Sequence, residues 1–91
     1  MIFEWDRAKS AANTRERGLP FEVAAALFDG PTLEAVDDRR DYGEKRIRAI
    51  GSVRGVVLVC VYVDRGDVRR IISLRAANRK ERNGYRATYQ G

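Results

Sequence analysis

The chain has 91 residues, 44% of them hydrophobic and 34% charged, which suits one domain over residues 1–91 with a single core and leaves too little chain for a second. It contains no histidine and only one cysteine, Cys60, so serine–histidine and cysteine–histidine nucleophilic systems, histidine-ligated metals, thiol-rich metal sites and an internal disulfide are all excluded. The net charge of +5 divides unevenly, because residues 1–44 hold six Lys/Arg and ten Asp/Glu, a net of −4, whereas residues 45–91 hold twelve and three, a net of +9.

Ile2 to Trp5 reads as a short opening strand with Phe3 and Trp5 on one face. Asp6 can cap a helix from Arg7 to about Arg17, ended by Gly18, in which Ala8, Ala11 and Ala12 are spaced to pack closely on a sheet. Pro20 suits a helix first turn, and Phe21, Ala24, Ala25, Leu27 and Phe28 give a second short amphipathic helix that stops at Asp29-Gly30-Pro31. A strand follows over Thr32–Val36. The charged run from Asp37 to Glu44 has neither helical nor strand period, and is expected to be a mobile loop or a wide hairpin turn in which Asp37, Asp38 and Asp41 have no fixed geometry.

Arg46, Arg48 and Ile50 alternate with Ile47 and Ala49 in the next strand, which closes at Gly51 and turns through Arg54-Gly55. Val56 to Val63 is β-branched and apolar on both parities, the pattern of a central strand covered on both faces, with Cys60 as a buried structural thiol. Asp64-Arg65-Gly66-Asp67 supplies turn chemistry, and Val68–Leu74 returns as a strand carrying Arg69 and Arg70, with Arg75 at its end. Asn78 and Glu81 have the spacing of a capping box, which starts a helix from about Ala77 to Tyr85. The order predicts an α+β domain: a mainly antiparallel sheet, two N-terminal helices and one C-terminal helix, with the helices on one sheet face and the other face less covered.

The longest apolar run, eight residues from Val56, is too short to cross a bilayer, and no signal-peptide pattern opens the chain. No membrane association and a cytoplasmic location are expected. No phosphate-loop or dinucleotide glycine pattern is present, and no cofactor is expected. Fifteen of the eighteen basic residues are arginine, whose planar fork matches phosphate, so polyanion binding is the leading expectation and a solvated basic surface the plainer one. Arginine, lysine, tyrosine and carboxylate can still cleave RNA, because the substrate's own 2′-hydroxyl is the nucleophile. The protein then has to orient it, stabilise charge on phosphate and assist proton transfer, without metal.

The segments Phe3-Glu-Trp-Asp6, Lys9 with Asn13, Gly18, Phe21-Glu22 and Ala25, Phe28-Asp29, Glu44 with Arg46, Gly51, and Arg70-Ile-Ile-Ser73 with Arg75, Ala76, Glu81, Arg82 and Tyr85 run in order along nearly the whole chain. Together they resemble the BrnT toxin family. The resemblance implies a type II toxin–antitoxin toxin with a RelE-like ribonuclease fold, inhibition of translation and growth, an RNA substrate, and a BrnA-like antitoxin through whose complex alone DNA is engaged. Two positions depart from the family pattern. Arg17 stands where the family has a histidine before the glycine, so no role of that histidine carries over, and Pro20 stands where a serine or similar cap is usual.

Combining residue chemistry with the resemblance, Arg70, Arg75, Arg46 and Glu44 are the candidate catalytic residues, and Arg48, Lys9, Ser73, Arg79 and Tyr62 the candidate RNA contacts. Each has a plainer alternative. Arg70 and Arg75 can be solvated or paired with Glu44 or Glu81; Glu44 can simply pair with Arg46; Tyr62 and Tyr85 can be packing residues; Lys9 and Asn13 can be a solvated helix face; and Ser73 can satisfy backbone. In a regular strand Arg70 and Arg75 point to opposite faces, so they share a site only if the strand bulges or Arg75 lies in the turn. The alternative function is a non-catalytic nucleic-acid-binding module using the same arginine-rich face.

Overall fold

The apolar run from Val56 forms the middle of the sheet, where seven consecutive side chains from Val57 to Val63 are buried. In the computed structural model, which describes residues 1–89, five strands lie in the order β1-β5-β4-β3-β2. They are β1 (Ile2–Trp5), β2 (Leu33–Val36), β3 (Ile47–Val53), β4 (Val56–Arg65) and β5 (Val68–Ala76). Helices α1 (Arg7–Arg17) and α2 (Val23–Leu27) connect β1 to β2, and α3 (Arg79–Tyr89) follows β5. No helix among the described residues is long and apolar enough to cross a membrane.

Strands β2 to β5 form an antiparallel meander, but β1 lies parallel to β5, with Ile2 opposite Val68 and Trp5 opposite Ile71. The sheet is therefore mixed, which corrects the mainly antiparallel expectation. A four-residue strand carries no mark of its pairing direction, and its partner here is at the other end of the chain. Both tight hairpins follow from local chemistry. Arg54 and Gly55 both take left-handed φ, +51° and +81°, whereas the β4–β5 loop is only Gly66-Asp67, with Gly66 at φ +60°. Asp64 and Arg65 thus belong to β4, not to the turn.

Because β4 is covered on both faces, its two parities build two cores. Leu58, Cys60 and Tyr62 face Phe21, Ala24 and Leu27 of the α2 segment, with Ala49, Ile71 and Leu74. Val57 and Val59 face Ala77 and Tyr85, so α3 packs on the opposite face. The helices thus occupy both faces, not one. On the first face Gly51 is required, since a Cβ there would sit 2.8 Å from Cγ of the fully buried Leu27.

Helix α1 begins at Asp6, which accepts from the N–H groups of Ala8 and Lys9, and ends at Gly18 with φ +69°. Its attachment is not the alanine packing that the spacing suggests, for Ala8 and Ala11 are exposed. Polar side chains hold it instead. Asn13 Nδ2 donates to the carbonyls of Leu19 (2.7 Å) and Leu74 (3.0 Å), and Ser10 Oγ accepts from the Phe21 N–H (2.9 Å). Helix α2 opens with i to i+3 bonds from the N–H groups of Val23, Ala24 and Ala25 back to the carbonyls of Pro20, Phe21 and Glu22, so Pro20 precedes the helix as a carbonyl acceptor for its first turn and not as its first residue.

Candidate functional site: the arginine face

Strand β5 carries the decisive irregularity. Ser73 lies opposite Val61 of β4, yet Ile71 lies opposite Tyr62, so Ile72 is an extra residue bulged out of the ladder. Side chains alternate along a regular strand, and one inserted residue resets the alternation. Arg75 and Ser73 therefore share a face with Val59 and Val61, and Arg70 shares that same face with Val63. This is the second face, where α3 covers Val57 and Val59 but not the other end of β4.

Val61 and Val63 are nevertheless only 6% and 4% exposed. Their cross-strand neighbours on this face are Arg48 and Ser73 for Val61 and Arg70 for Val63, and arginine stems can shield an apolar floor while their heads stay in water. Arg48 of β3 and Ser73 of β5 flank Val61 from either side, about 10 Å apart at two strand spacings.

Two carboxylates sit among these cations. Glu81 receives both Arg75 Nη atoms at 2.8 and 2.9 Å and also accepts from the Asn78 N–H, while Asn78 Oδ1 accepts from the Glu81 N–H. The capping box read from the sequence thus doubles as an arginine clamp. Arg75's hydrogen bonds, opposed by burial and helped by the charge of Arg48, hold the Glu81 carboxyl down at about 2. Asp37 is 4% exposed and bound by Arg39 Nε and Nη2 at 2.7 and 2.9 Å. That bond chiefly lowers its pKa, against desolvation and with Arg48 again contributing. Asp37 therefore has a fixed geometry, contrary to expectation, because its side chain is enclosed at the end of β2 and its N–H donates to the Arg46 carbonyl. Arg39 pairs with Asp37 and Arg75 with Glu81, the charge of Arg48 acts on both carboxylates, and that of Arg39 acts on Arg75.

The remaining candidates divide. Arg70 is held only loosely, 3.6 Å from Glu4 on the paired edge strand. Among the described residues Arg48 has no ion-pair partner. Arg46 lies 4.0 Å over the Tyr42 ring and 3.6 Å from Glu44, and its Nε is buried without a hydrogen-bond acceptor. Glu44 is taken up chiefly by Arg65 at 2.9 Å, which together with Arg46 lowers its pKa and weakens it as a proton acceptor. Ser73 is exposed on the arginine face, and Arg79 is exposed at the start of α3.

Tyr62 and Lys9 fall outside this group. Tyr62 is 4% exposed on the first face, edge-on to Phe28, beneath the Arg69 guanidinium and hydrogen-bonded to Glu34. Burial first, then the Glu34 bond, raises its pKa. Its ring is closed to a stacking base. Lys9 is exposed on α1, away from the arginine face. Asp37, Arg39 and Tyr42 are the site neighbours that sequence reasoning passed over. Their signal was an acid, a base and an aromatic inside a charged run immediately after a strand.

The described residues contain no group of three or more His, Cys, Asp or Glu placed to hold a metal ion. Beside Arg48, between α3 and the β2–β3 edge, a groove of about 350 Å³ opens on the same face. A family model described as "Ribonuclease toxin, BrnT, of type II toxin-antitoxin system" matches residues 5–81. The chain belongs to the BrnT family. No curated protein matches it. As a BrnT toxin it has RNA as its substrate class and an antitoxin as its partner. The matched span holds every arginine of the face and the Glu81 clamp, and ends before most of α3.

Proposed function

We propose that this BrnT chain is a metal-independent endoribonuclease whose active surface is the bulged arginine face, acting as one RelE-like toxin domain over residues 1–91. The observation that carries the reading is the bulge at Ile72, which brings Arg70 and Arg75 to the side of the sheet that holds Arg48 and Ser73. In this reading the RNA 2′-hydroxyl attacks the adjacent phosphorus, the bond to the 5′-oxygen breaks, and a 2′,3′-cyclic phosphate and a 5′-hydroxyl remain. Arg70 and Arg48, neither of them locked into a two-pronged pair, bind the phosphate and the charge that grows on it. Arg75, oriented by Glu81, adds a third donor, and Ser73 hydrogen-bonds a phosphate oxygen. Arg46 with Tyr42 and Arg79 extend the contact along the strand of RNA, and Glu44 fixes Arg46 and Arg65.

Metal independence is supported by the donor set, which lacks histidine, buries its one cysteine with a thiol pushed up to about 12 by desolvation, and commits Asp37 and Glu81 to arginines. Cutting messenger RNA would stop translation and growth, which requires the cytoplasm as the working compartment. A BrnA-like antitoxin would silence the toxin by covering this face, and DNA would be reached only through that complex. The test is to incubate the toxin with single-stranded RNA in EDTA and resolve the products. Shortened RNA ending in cyclic phosphate is expected. RNA that is retarded but left intact would favour a non-catalytic binding module, and cleavage that EDTA abolishes and magnesium restores would overturn the mechanism.

A further inference from the structure

Helix α3 contains a glycine, Gly84, midway between Arg79 and Tyr89. Glycine inside a helix is destabilising relative to alanine, so its presence usually reflects close packing. Here packing gives no reason, for a Cβ at Gly84 would meet nothing within 4 Å. The space it leaves open is the groove of about 350 Å³ beside the arginine cluster, which Gly84 lines. Leu33 and Ile50, both half-buried, form an apolar floor, and Arg48, Lys80 and Glu81 stand at its sides. Glu81 is already committed to Arg75 and the Asn78 N–H, so the uncommitted charge at the groove is positive.

We propose that this groove is a nucleotide subsite, in which the base next to the cleaved phosphate lies on Leu33 and Ile50 against the bare backbone at Gly84, while Arg48 and Lys80 hold its phosphates. An apolar floor with cationic walls suits a flat, apolar-faced base on an anionic backbone, and the groove accommodates one unpaired nucleotide, not a duplex. Arg48 belongs both to the groove and to the cluster proposed to bind the scissile phosphate, which sets the two sites side by side. The inference rests on the ribonuclease reading of that face. It concerns this chain's own residues, since Gly84 lies beyond the family-matched span.

Two measurements test it with a fluorescein-labelled single-stranded RNA carrying 2′-O-methyl groups, which binds but cannot be cut. Gly84→Leu fills the groove with a better helix former. The melting temperature is expected to hold or rise while Kd for this RNA weakens at least tenfold, and unchanged affinity in the folded variant would overturn the subsite. Gly84→Cys places a thiol in the groove. Cys60 is fully buried with its thiol pushed up to about 12, so an alkylating reagent should report on residue 84 alone. Saturating RNA should slow that alkylation at least tenfold. Labelling at the RNA-free rate would sink the proposal even if Gly84→Leu failed to fold. Arg70→Ala, outside the groove, separates the two levels. If it loses cleavage while residue 84 stays unprotected, the arginine face stands and the subsite falls; if it cuts RNA like the parent, the reading of the face itself fails.

Discussion

Arg70 and Arg75 share a face but are held differently, and their alanine variants should part company. Arg75 is bidentate to Glu81, whose side chain is 16% exposed, so Arg75→Ala leaves a largely enclosed carboxylate without its main partner. A loss of about 1–3 kcal/mol is expected, visible as a drop of several degrees or more in Tm. Arg70 touches only Glu4, at 3.6 Å, and both are a third or more exposed. Its truncation should cost under about 1 kcal/mol, yet lower RNA cleavage on the order of a hundredfold, with Arg70→Lys rescuing only part because it lacks the planar fork. Normal cleavage by a folded Arg70→Ala would remove it from the site. The Arg75 pair also has a pH signature. The Glu81 carboxyl is lowered from 4.5 to about 2, chiefly by Arg75, so the stability it contributes is complete above 4.5 and is lost as pH falls toward 2. Melting curves across that window should lose stability more steeply for the parent than for Arg75→Ala, and parallel curves would mean that the pair contributes nothing.

At the level of elements, local signals were legible and long-range pairing was not. Asp6, Gly18 and the Asn78–Glu81 box each bond as their spacing suggests, because a cap needs only residues within one turn. The parallel seat of β1 and the choice of face by α3 depend on partners remote in sequence. The polar docking of α1 through Asn13 and Ser10 was also hidden, since small apolar residues at helical spacing look like a packing face whether or not the sheet reaches them. The bulge is an intermediate case. Ile71 and Ile72 are adjacent apolar residues just as Arg69 and Arg70 are adjacent cations, so the alternation breaks twice and the sequence does not show which residue lies outside the ladder. The candidate site could be drawn from the sequence only as residue types, arginines with Ser73, and these share a surface only through that insertion. One element contact gives a direct test. Gly51→Ala would press a Cβ onto Leu27, which is fully buried between α2 and β3. A loss of about 1–3 kcal/mol should appear as a lower denaturation midpoint with the slope unchanged, whereas an unshifted midpoint would show that α2 can lift off β3 at no cost.

For the whole molecule, the +9 of residues 45–91 has a structural outlet. The strands and helix of that half supply Arg48, Arg70, Arg75 and Lys80, while internal carboxylates neutralise only part of the face: Glu81 pairs with Arg75, and Asp37 with Arg39 from the preceding loop. Arg48 among the described residues has no ion-pair partner, and Arg70 only a distant one. A toxin of this family has an antitoxin, and on so small a domain the surface that must be blocked is the one that meets RNA. An acidic antitoxin segment laid over Arg48 and Arg70 would achieve this by charge complementarity, and would associate faster and more tightly at low salt than at high salt. Complex formation should therefore shield Arg70 and Arg48 from a guanidine-specific reagent while leaving the turn residue Arg54, at the far end of β3, as reactive as in the free toxin. Equal labelling of all three in the bound and free states would place the antitoxin elsewhere, and inhibition would then have to act through a change in the toxin's shape. Shielding that vanishes in high salt together with recovery of RNA cleavage would tie neutralisation to this one surface.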